Sequence, residues 1–409
     1  MTTKKTESVA VSVTASASES ASESLTVSWA AANARRLARQ GLAAPSDGGP
    51  AAVTGAMVGA HAQVLSAAEL SVALRLDGGG TREDVRTALW TDGGLVKTFG
   101  PRGTVHLLPS ADLPLWTGAL SALPTGRNAM PAGVRMSEDE TDQVVAAIAD
   151  ALADDDLTVD ELTDEIVART GPWAADPVMD AFQTKWPRWR QMTHTAAHRG
   201  ALCFGPNRGR KVTYTNPHRL LPGFTPLEGS EALAGLVARY LYAYGPATPQ
   251  HFAKWLTTPV NWARELFDTL AAEGRTEQVG YEGGPAWVVT GDTDFPVEPV
   301  ARGVRLLPYF DAFTIASQPR ERLFPGAAYE RALGGGQAGN YPVVLIDGVV
   351  AGVWHQRRSG KWLDVTVEPL RPLTAARRAE LEEQVERTGE ILQGTPRLTV
   401  GTVAVGPHA

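Results

Sequence analysis

LCFGPNRGRKVTY, at residues 202–214, is the stretch that decides the fold. Two short apolar runs, residues 201–204 and 212–214, flank a polar turn that contains Gly209. Strand-forming residues on both sides of a glycine-containing turn are typical of a β-hairpin. The stretch therefore predicts a hairpin whose turn, Asn207 to Lys211, is strongly basic.

Helical patterns precede this hairpin. Ser137 can cap a helix that runs to about Ala153, and Thr158 with Glu161 forms a capping box that opens a second helix. A third helix is expected over residues 187–199. Three helices followed by a β-hairpin make a winged helix, and this is the unit that we predict here.

The same order of elements recurs on both sides of this unit, and such self-similarity marks a tandem array. We therefore expect three tandem winged helices. In the first copy, the helices and the hairpin are expected at residues 28–42, 61–76, 82–91 and 95–108. In the last copy, they are expected at residues 228–244, 248–256, 261–273 and 276–289.

After residue 290 the pattern changes to short β-rich runs, with a strong hairpin turn at Asp347-Gly348. These runs predict a small β-barrel or curved sheet, and a helix is expected over residues 374–392. The predicted fold class is α+β, with three winged-helix domains followed by the barrel. The predicted boundaries are a disordered leader at 1–26, winged helices at 27–132, 133–224 and 225–290, and the barrel domain with its helix at 291–409.

Composition narrows the classes of function. The chain has 409 residues, a net charge of −7 and one cysteine, Cys203. One cysteine excludes an intramolecular disulfide and a cysteine-based zinc site, which fits a reducing cytosol. No run of eighteen apolar residues exists, so no membrane span is expected. His194 and His198 have helical spacing but lack the glutamate of a zinc-protease motif, so we expect no metal and no cofactor.

The charge of the second predicted winged helix is divided along the sequence. Residues 138–165 contain twelve Asp and Glu and no Lys or Arg, whereas residues 185–219 contain eight Lys and Arg and no carboxylate. This division suggests one face in solvent and another on phosphate. The alternative is that the two segments neutralise each other within the fold.

Two basic segments are candidates for contacting DNA. Arg208, Arg210 and Lys211 in the hairpin turn suit adjacent phosphates, although a merely solvated loop would look the same. The segment KWPRWR at residues 185–190 mixes Lys185, Arg188 and Arg190 with two tryptophans that could stack on bases. Tryptophans at this spacing are more often part of a core.

Further stretches resemble the winged-helix DNA glycosylase family that includes AlkZ and YcaQ. With the opening stretch, the landmarks are RGTVHLLPSADL (102–113), AYGPATPQHFAKWL (243–256), LLPYFDAF (306–313) and GVVAGVWHQRRSGKWLDVTV (348–367). They lie in the family's order and cover most of residues 28–400. The resemblance implies a C-shaped body around duplex DNA. It also implies hydrolysis of the N-glycosidic bond of bulky N7-alkylguanines, including crosslinks made by genotoxic natural products.

The family's catalytic motif, Gln-x-Gln or Gln-x-Asp, is matched by GAHAQ at residues 59–63. Gln63 takes the final position, and His61 replaces the first glutamine. A His-x-Gln version resembles members linked to self-resistance against intercalating alkylators. Taken without the resemblance, His61 would be read as a capping or core histidine.

The chemistry of this motif follows from its residue types. An N7-alkylated guanine is already cationic, so the enzyme must mainly place a water. His61, with a pKa near working pH, could accept a proton from that water, and Gln63 could fix the water. Side chains two apart share a face only on an extended segment, so the motif should lie on a strand or loop at a helix start. No lysine lies beside it in sequence, which favours monofunctional hydrolysis over a Schiff-base route.

Smaller predictions complete the site. Arg102, Thr104 and His106 could line the lesion cleft, although Thr104 and His106 could equally be cross-strand packing partners. Asp311 could orient a partner side chain or cap a turn. The expected partner is double-stranded DNA carrying alkylated guanine, bound by a monomer in the cytoplasm at the nucleoid.

The alternative function is a non-catalytic winged-helix protein, such as a transcriptional regulator. Regulators normally pair through a dimerisation element, and no heptad pattern is visible in the sequence. Three units and a barrel in one chain favour the enclosure of a single lesion.

Overall fold

The computed structural model describes residues 25–124, 130–181, 184–297 and 303–406. Apart from Leu25 and Thr26, the expected leader lies outside these residues. Thr26 already belongs to a strand, so the structured part begins slightly earlier than predicted.

The first strand and helix join parts of the chain that are distant in sequence. Strand β1 (Thr26–Val27) pairs in parallel with a strand of the third unit, and helix α1 (Trp29–Arg39) follows it, capped by Ser28. Arg36 on α1 is only 1% exposed and donates hydrogen bonds to the carbonyls of Pro246 and Gln318. The helix predicted at 28–42 therefore forms, but it packs against later units and not within the first one.

The first unit is built instead around a helix that the sequence pattern did not reveal, α2, which begins at Gly49 after the N-cap Gly48 and has Pro50 in its first turn. The helix predicted to begin at His61 begins four residues later, because His61 lies on a short strand. The elements are α2 (Gly49–Ala56), β2 (Ala60–His61), α3 (Leu65–Ala73), α4 (Arg82–Trp90), β3 (Leu95–Phe99), β4 (Val105–Pro109) and α5 (Leu113–Ser121). The strand order is β2-β4-β3.

The second unit follows the prediction closely, and both expected capping boxes form. Its third helix is a 3-10 turn, Arg188–Met192, that continues into α8. A small additional hairpin, β6-β7, precedes that turn. The elements are α6 (Glu138–Ala151), β5 (Leu157–Thr158), α7 (Val159–Thr170), β6 (Pro177–Asp180), β7 (Lys185–Pro187), α8 (Thr193–His198), β8 (Cys203–Arg208), β9 (Lys211–Thr215) and α9 (Pro217–Leu220).

The third unit also has the predicted order. Glu282 and Gly283 form its hairpin turn, both with positive φ, as a two-residue turn of this kind requires. The elements are α10 (Gly229–Tyr244), α11 (Pro249–Leu256), α12 (Val260–Ala272), β10 (Thr276–Tyr281) and β11 (Gly284–Val289). β10 lies between β11 and β1.

The C-terminal region contains one five-stranded sheet with the order β12-β13-β14-β15-β16. In the described part of the chain β12 and β16 are its two edges, so the prediction of a closed barrel is wrong. The reason is that α16 packs against both edge strands. The elements are β12 (Val304–Leu307), α13 (Ala312–Ala316), α14 (Arg320–Leu323), α15 (Ala327–Ala332), β13 (Val343–Ile346), β14 (Val349–Ser359), β15 (Trp362–Pro369), α16 (Ala375–Leu392) and β16 (Thr395–Val400).

One cluster of buried apolar side chains connects the first unit, the second unit and the C-terminal sheet; it includes Leu107, Ile148 and Val365. The chain is an α+β protein, and its units share a core. Among the described residues, no helix combines the length and the apolar character needed to cross a membrane.

Candidate active site

The His61 segment lies on a short strand directly before a helix, which confirms the predicted placement. His61 ends β2 and stands opposite His106 of β4, and α3 begins at Leu65. Gly59, with φ 94°, makes the bend between α2 and this strand; a Cβ atom there would lie 2.8 Å from Leu108.

The His61 ring is enclosed by other rings. It is 7% exposed and stacks on Phe310, with the ring centroids 4.5 Å apart and the planes inclined by 30°. The His106 ring meets it edge-on at 5.1 Å. The Nδ1 atom of His61 is buried and makes no hydrogen bond to any described residue. An unsatisfied buried polar atom costs about 1–3 kcal/mol, so this nitrogen is a candidate for binding a water or a substrate atom.

Burial changes the acid-base character of His61. Desolvation, followed by the positive charge of Arg102, lowers the pKa of His61 to about 4. The expectation of a pKa near working pH is therefore wrong for the free protein. A neutral imidazole at pH 7 can accept a hydrogen bond from a water, but it is a weak base.

Gln63 lies elsewhere. β2 ends at His61, so the strand alternation does not extend to Gln63, which is exposed and lines a cleft of about 660 Å³ between the first and second units. His61 is not among the residues that line this cleft. On the sheet, His61 shares a face with His106, whereas Lys97 and Phe99 line the cleft from the other face. The structure therefore does not place the motif's two side chains in one hollow.

The cleft contains a lysine that sequence reasoning missed. Lys97 is half-buried, its Nζ lies 4.5 Å from the centroid of the Phe204 ring, and burial lowers its pKa. Phe204 continues an aromatic wall between Phe99 at 5.3 Å and Tyr214 at 5.2 Å. The hairpin brings Lys97 into the cleft that Gln63 lines, although the two are 34 positions apart in sequence.

Asp311 performs both of its predicted roles. Its carboxylate caps α13 by accepting from the backbone N–H of Phe313 at 3.0 Å. It also accepts two hydrogen bonds of 2.8 and 2.9 Å from Arg75, which lies just after α3, and one of 2.6 Å from the Ser71 hydroxyl on α3. Both side chains of the ion pair are 0% exposed. This buried pair fixes α3, which follows the motif, to the loop that carries Phe310.

The predicted site residues of the first hairpin contact other protein groups, both within the hairpin and in the third unit. Arg102 at its turn donates to the carbonyl of Trp255 in α11 at 2.9 Å. Thr104 donates to the Pro101 carbonyl at 2.9 Å, and the His106 ring nitrogen lies 2.9 Å from the Thr104 carbonyl. The packing alternative describes His106 correctly, since His61 is its cross-strand partner. Thr104 precedes β4 and closes the turn.

The second hairpin is exposed, and its charges are partly paired. Arg208 contacts Glu161 at 2.9 Å and Lys211 contacts Asp160 at 3.0 Å, while Arg210 is also exposed. Arg199 and Arg219 likewise pair with carboxylates of residues 138–165. Four of the eight basic residues are therefore neutralised by the acidic segment, as the alternative proposed. Exposed pairs of this kind are weak and exchange readily for other anions.

The KWPRWR segment divides into core and surface. Trp189 is 0% exposed and belongs to the core, whereas Trp186 is 42% exposed and carries the Arg190 guanidinium 4.0 Å from its ring centroid. Both Trp186 and Arg190 line the cleft. Arg188 is held by the Val134 carbonyl and Asp176. The third cation of this segment, exposed Lys185, lies 3.8 Å from Asp180.

Comparisons with known proteins agree on one family. The sequence model described as DNA glycosylase AlkZ-like matches residues 54–391. A curated protein of Streptomyces sahachiroi, named Interstrand DNA cross-link repair glycosylase, is 32% identical over 344 residues, which cover 81% of this chain and 88% of that protein. The solved structure of Streptomyces sahachiroi DNA glycosylase AlkZ superposes with a TM-score of 0.74 and 28% identity, over 92% of this chain and 100% of that chain.

Proposed function

The chain belongs to the AlkZ-like DNA glycosylase family, and from this premise we propose that it hydrolyses the N-glycosidic bond of bulky N7-alkylguanine adducts or crosslinks. The proposed role is DNA repair or self-resistance to a genotoxic natural product. Membership of a glycosylase family decides against the alternative of a non-catalytic regulator. The relative that is named for repairing interstrand crosslinks supports a bulky substrate.

The proposed scaffold consists of three tandem winged helices that form a C-shaped body around duplex DNA. Three sets of helices, each followed by a hairpin, support this reading. The proposed domains are residues 27–132, 133–224, 225–290 and 291–409. Helix α1, at the start of the first domain, packs against the later ones. The proposed enzyme works as a monomer in the cytoplasm, at the nucleoid.

The substrate determines what the enzyme must supply. Alkylation at N7 leaves the guanine with a positive charge, so the glycosidic bond breaks towards an oxocarbenium-like sugar without protonation of the leaving group. The remaining requirement is a water molecule held on the open face of the sugar. A water molecule that is already ordered lowers the entropic cost of its attack on the sugar after the glycosidic bond has broken.

His61 and Gln63 are proposed to meet this requirement. The unsatisfied Nδ1 of His61 carries the proposal, because a neutral imidazole with a free acceptor can orient a water against a cationic sugar. With a pKa of about 4, His61 is neutral and orients the water by accepting a hydrogen bond. The alkylguanine leaves as a neutral base with the electrons of the glycosidic bond, the water oxygen bonds to C1′, and the proton that the water releases passes to solvent. The exposed Gln63 amide both donates and accepts, so it can contact the damaged nucleotide or the same water.

We propose monofunctional hydrolysis. A lyase route needs an amine at C1′ of the sugar. Two lysines line the cleft: Lys97 lies on the sheet face opposite His61 and is held over the Phe204 ring, and Lys211 contacts Asp160 at 3.0 Å. Lys97, Arg190 and Lys211 in the cleft are better suited to binding phosphate.

The test is incubation of the wild-type protein with duplexes that carry N7-methylguanine, a bulky N7-alkylguanine or an N7-linked crosslink. Alkali then converts abasic sites to strand breaks. We expect breaks at the bulky adduct and release of free modified guanine. Intact strands with all three duplexes would overturn the proposed substrate class. Strand breaks that appear before alkali treatment would overturn monofunctional hydrolysis.

A further inference from the structure

Phe310 has an unusual, left-handed backbone conformation. Its φ is 56°, in the left-handed region where a non-glycine side chain is strained. Strain of this kind persists only where the surrounding structure enforces it, and it concentrates at functional sites. The Phe310 ring lies against His61, with the ring centroids 4.5 Å apart.

Two neighbours hold Phe310 in this conformation. Its backbone N–H donates to the Gly339 carbonyl at 3.0 Å. Gly339 has φ 95°, and a Cβ atom there would lie 3.0 Å from the Phe310 ring, so this loop fits closely against the phenylalanine. The next residue, Asp311, is anchored to Ser71 of α3 and to Arg75 just after that helix. The anchor connects the loop to the helix that follows the His61 strand.

We propose that Phe310 is a positioning residue, which fixes the His61 imidazole by stacking while the Asp311–Arg75 ion pair holds the stack in place. The proposal rests on the proposed function in one respect, namely that His61 acts on the water. The His106 ring supports His61 from one edge only, at 5.1 Å. Without the Phe310 ring, the imidazole would lose its flat contact and could rotate away from the water site.

The groups that influence His61 come from each element around it. His106 lies on β4, and Arg102 on the turn of the first hairpin adds a positive charge. On the loop of Phe310 itself, Tyr309 and Asp311 are the neighbours, and the Asp311 carboxylate is directed to Arg75. Removal of the Phe310 ring therefore changes the hydration of His61 without removing a charge.

The first readout is single-turnover excision with saturating enzyme. We expect Phe310→Ala to lower the rate at least about tenfold with a change of less than about twofold in the duplex dissociation constant, because the loss is in orientation. Phe310→Tyr should return the rate to within about threefold of wild type, because a tyrosine ring stacks equally well. Phe324→Ala is the matched control: Phe324 is 1% exposed and packs in the C-terminal region, away from the rings around His61. It should lower the melting temperature while leaving the rate within about threefold.

The second readout does not need activity. The carbon-bound ring proton of His61 can be followed by NMR and assigned by its loss in His61→Asn. In the wild type we expect no titration of His61 between pH 6 and 8, because its pKa is about 4. In Phe310→Ala, water reaches the ring, so its pKa should rise towards the ordinary value of about 6.5.

Each result decides the inference. An unchanged His61 titration in Phe310→Ala, or a rate loss no larger than that of Phe324→Ala, would show that Phe310 does not position His61. A shifted titration in a protein whose wild type excises no alkylguanine would support the stacking role and overturn the proposed function. The two claims are therefore separable.

Discussion

The turns of the first and second hairpins look alike in sequence and differ in the folded protein. Arg102 in the first turn points inward and donates to the Trp255 carbonyl, while Gly100 lies against the His106 ring. Arg208 and Lys211 in the second turn are exposed and contact the surface carboxylates of Glu161 and Asp160, and Arg208 also donates to the Asp156 carbonyl. A short segment with arginine and glycine is enough to predict a turn. The role of the turn depends on which part of the protein it packs against, and the sequence of the turn does not show this. The first hairpin contacts His61 through His106, and the second is proposed to bind DNA phosphates.

The largest expected loss of folding stability comes from breaking the buried Asp311–Arg75 ion pair near His61. Asp311→Ala leaves the Arg75 guanidinium, which is 0% exposed, without its counter-charge. Removal of one partner of a buried pair costs about 3–5 kcal/mol, which urea unfolding will measure. Asp160→Asn is the matched change at the second hairpin, where it breaks the exposed contact with Lys211. It should cost less than about 1 kcal/mol. Equal losses in the two variants would remove the contrast between the hairpins.

Lowering the pH should reduce the folding stability mainly through histidines around the first hairpin and not through the second hairpin. His61 and His198 have folded-state pKa values of about 4, lowered mainly by burial from the ordinary value of 6.5. Because the unfolded chain takes up these protons first, stability falls as pH decreases from about 6.5 towards 4. At pH 5, each histidine should cost on the order of 2 kcal/mol relative to pH 7. Residues 203–215 contain no histidine, so the second hairpin adds nothing to this loss.

Unfolding of His61→Asn at pH 7 and pH 5 checks this expectation. The variant should lose less stability than the wild type between these two values, because one of the neutral buried histidines is gone. An identical loss in both proteins would mean that His61 is already hydrated in the folded state.

A smaller effect is expected from the second hairpin. Replacement of Arg208, Arg210 and Lys211 by glutamine should weaken binding to every duplex, regardless of damage, because phosphate contacts carry no sequence information. The slope of log K against log salt should become shallower by up to about three, near one for each cation that no longer binds a phosphate. The single-turnover rate at saturating enzyme should stay at the wild-type value. An unchanged slope would place this hairpin away from the DNA backbone.

Local sequence patterns predicted the helices and hairpins well. Capping at Ser137 and Thr158 identified the helices of the second unit, and strand-forming runs around glycine-containing turns identified the three hairpins. The patterns could not show which unit a helix joins: α1 packs against residues more than 200 positions away. They also could not show that the last sheet remains open around α16, because strand runs carry no information on closure.

The candidate site was predicted in part. The family motif made His61 and Gln63 the candidates, and the structure places this segment before a helix, but Gln63 lies beyond the strand and lines a cleft that His61 does not reach. Sequence separation hid Phe310 and Lys97, because stacking on His61 and entry into the cleft arise only from tertiary packing. The low pKa of His61 was also missed, since burial cannot be read from a motif.

The most direct test of the central claim is single-turnover excision of a bulky N7-alkylguanine by wild type, His61→Ala and Gln63→Ala. If both side chains act on the chemical step, each variant should be at least about tenfold slower, with a nearly unchanged dissociation constant for the damaged duplex. A double variant that excises the adduct at the wild-type rate would contradict the account.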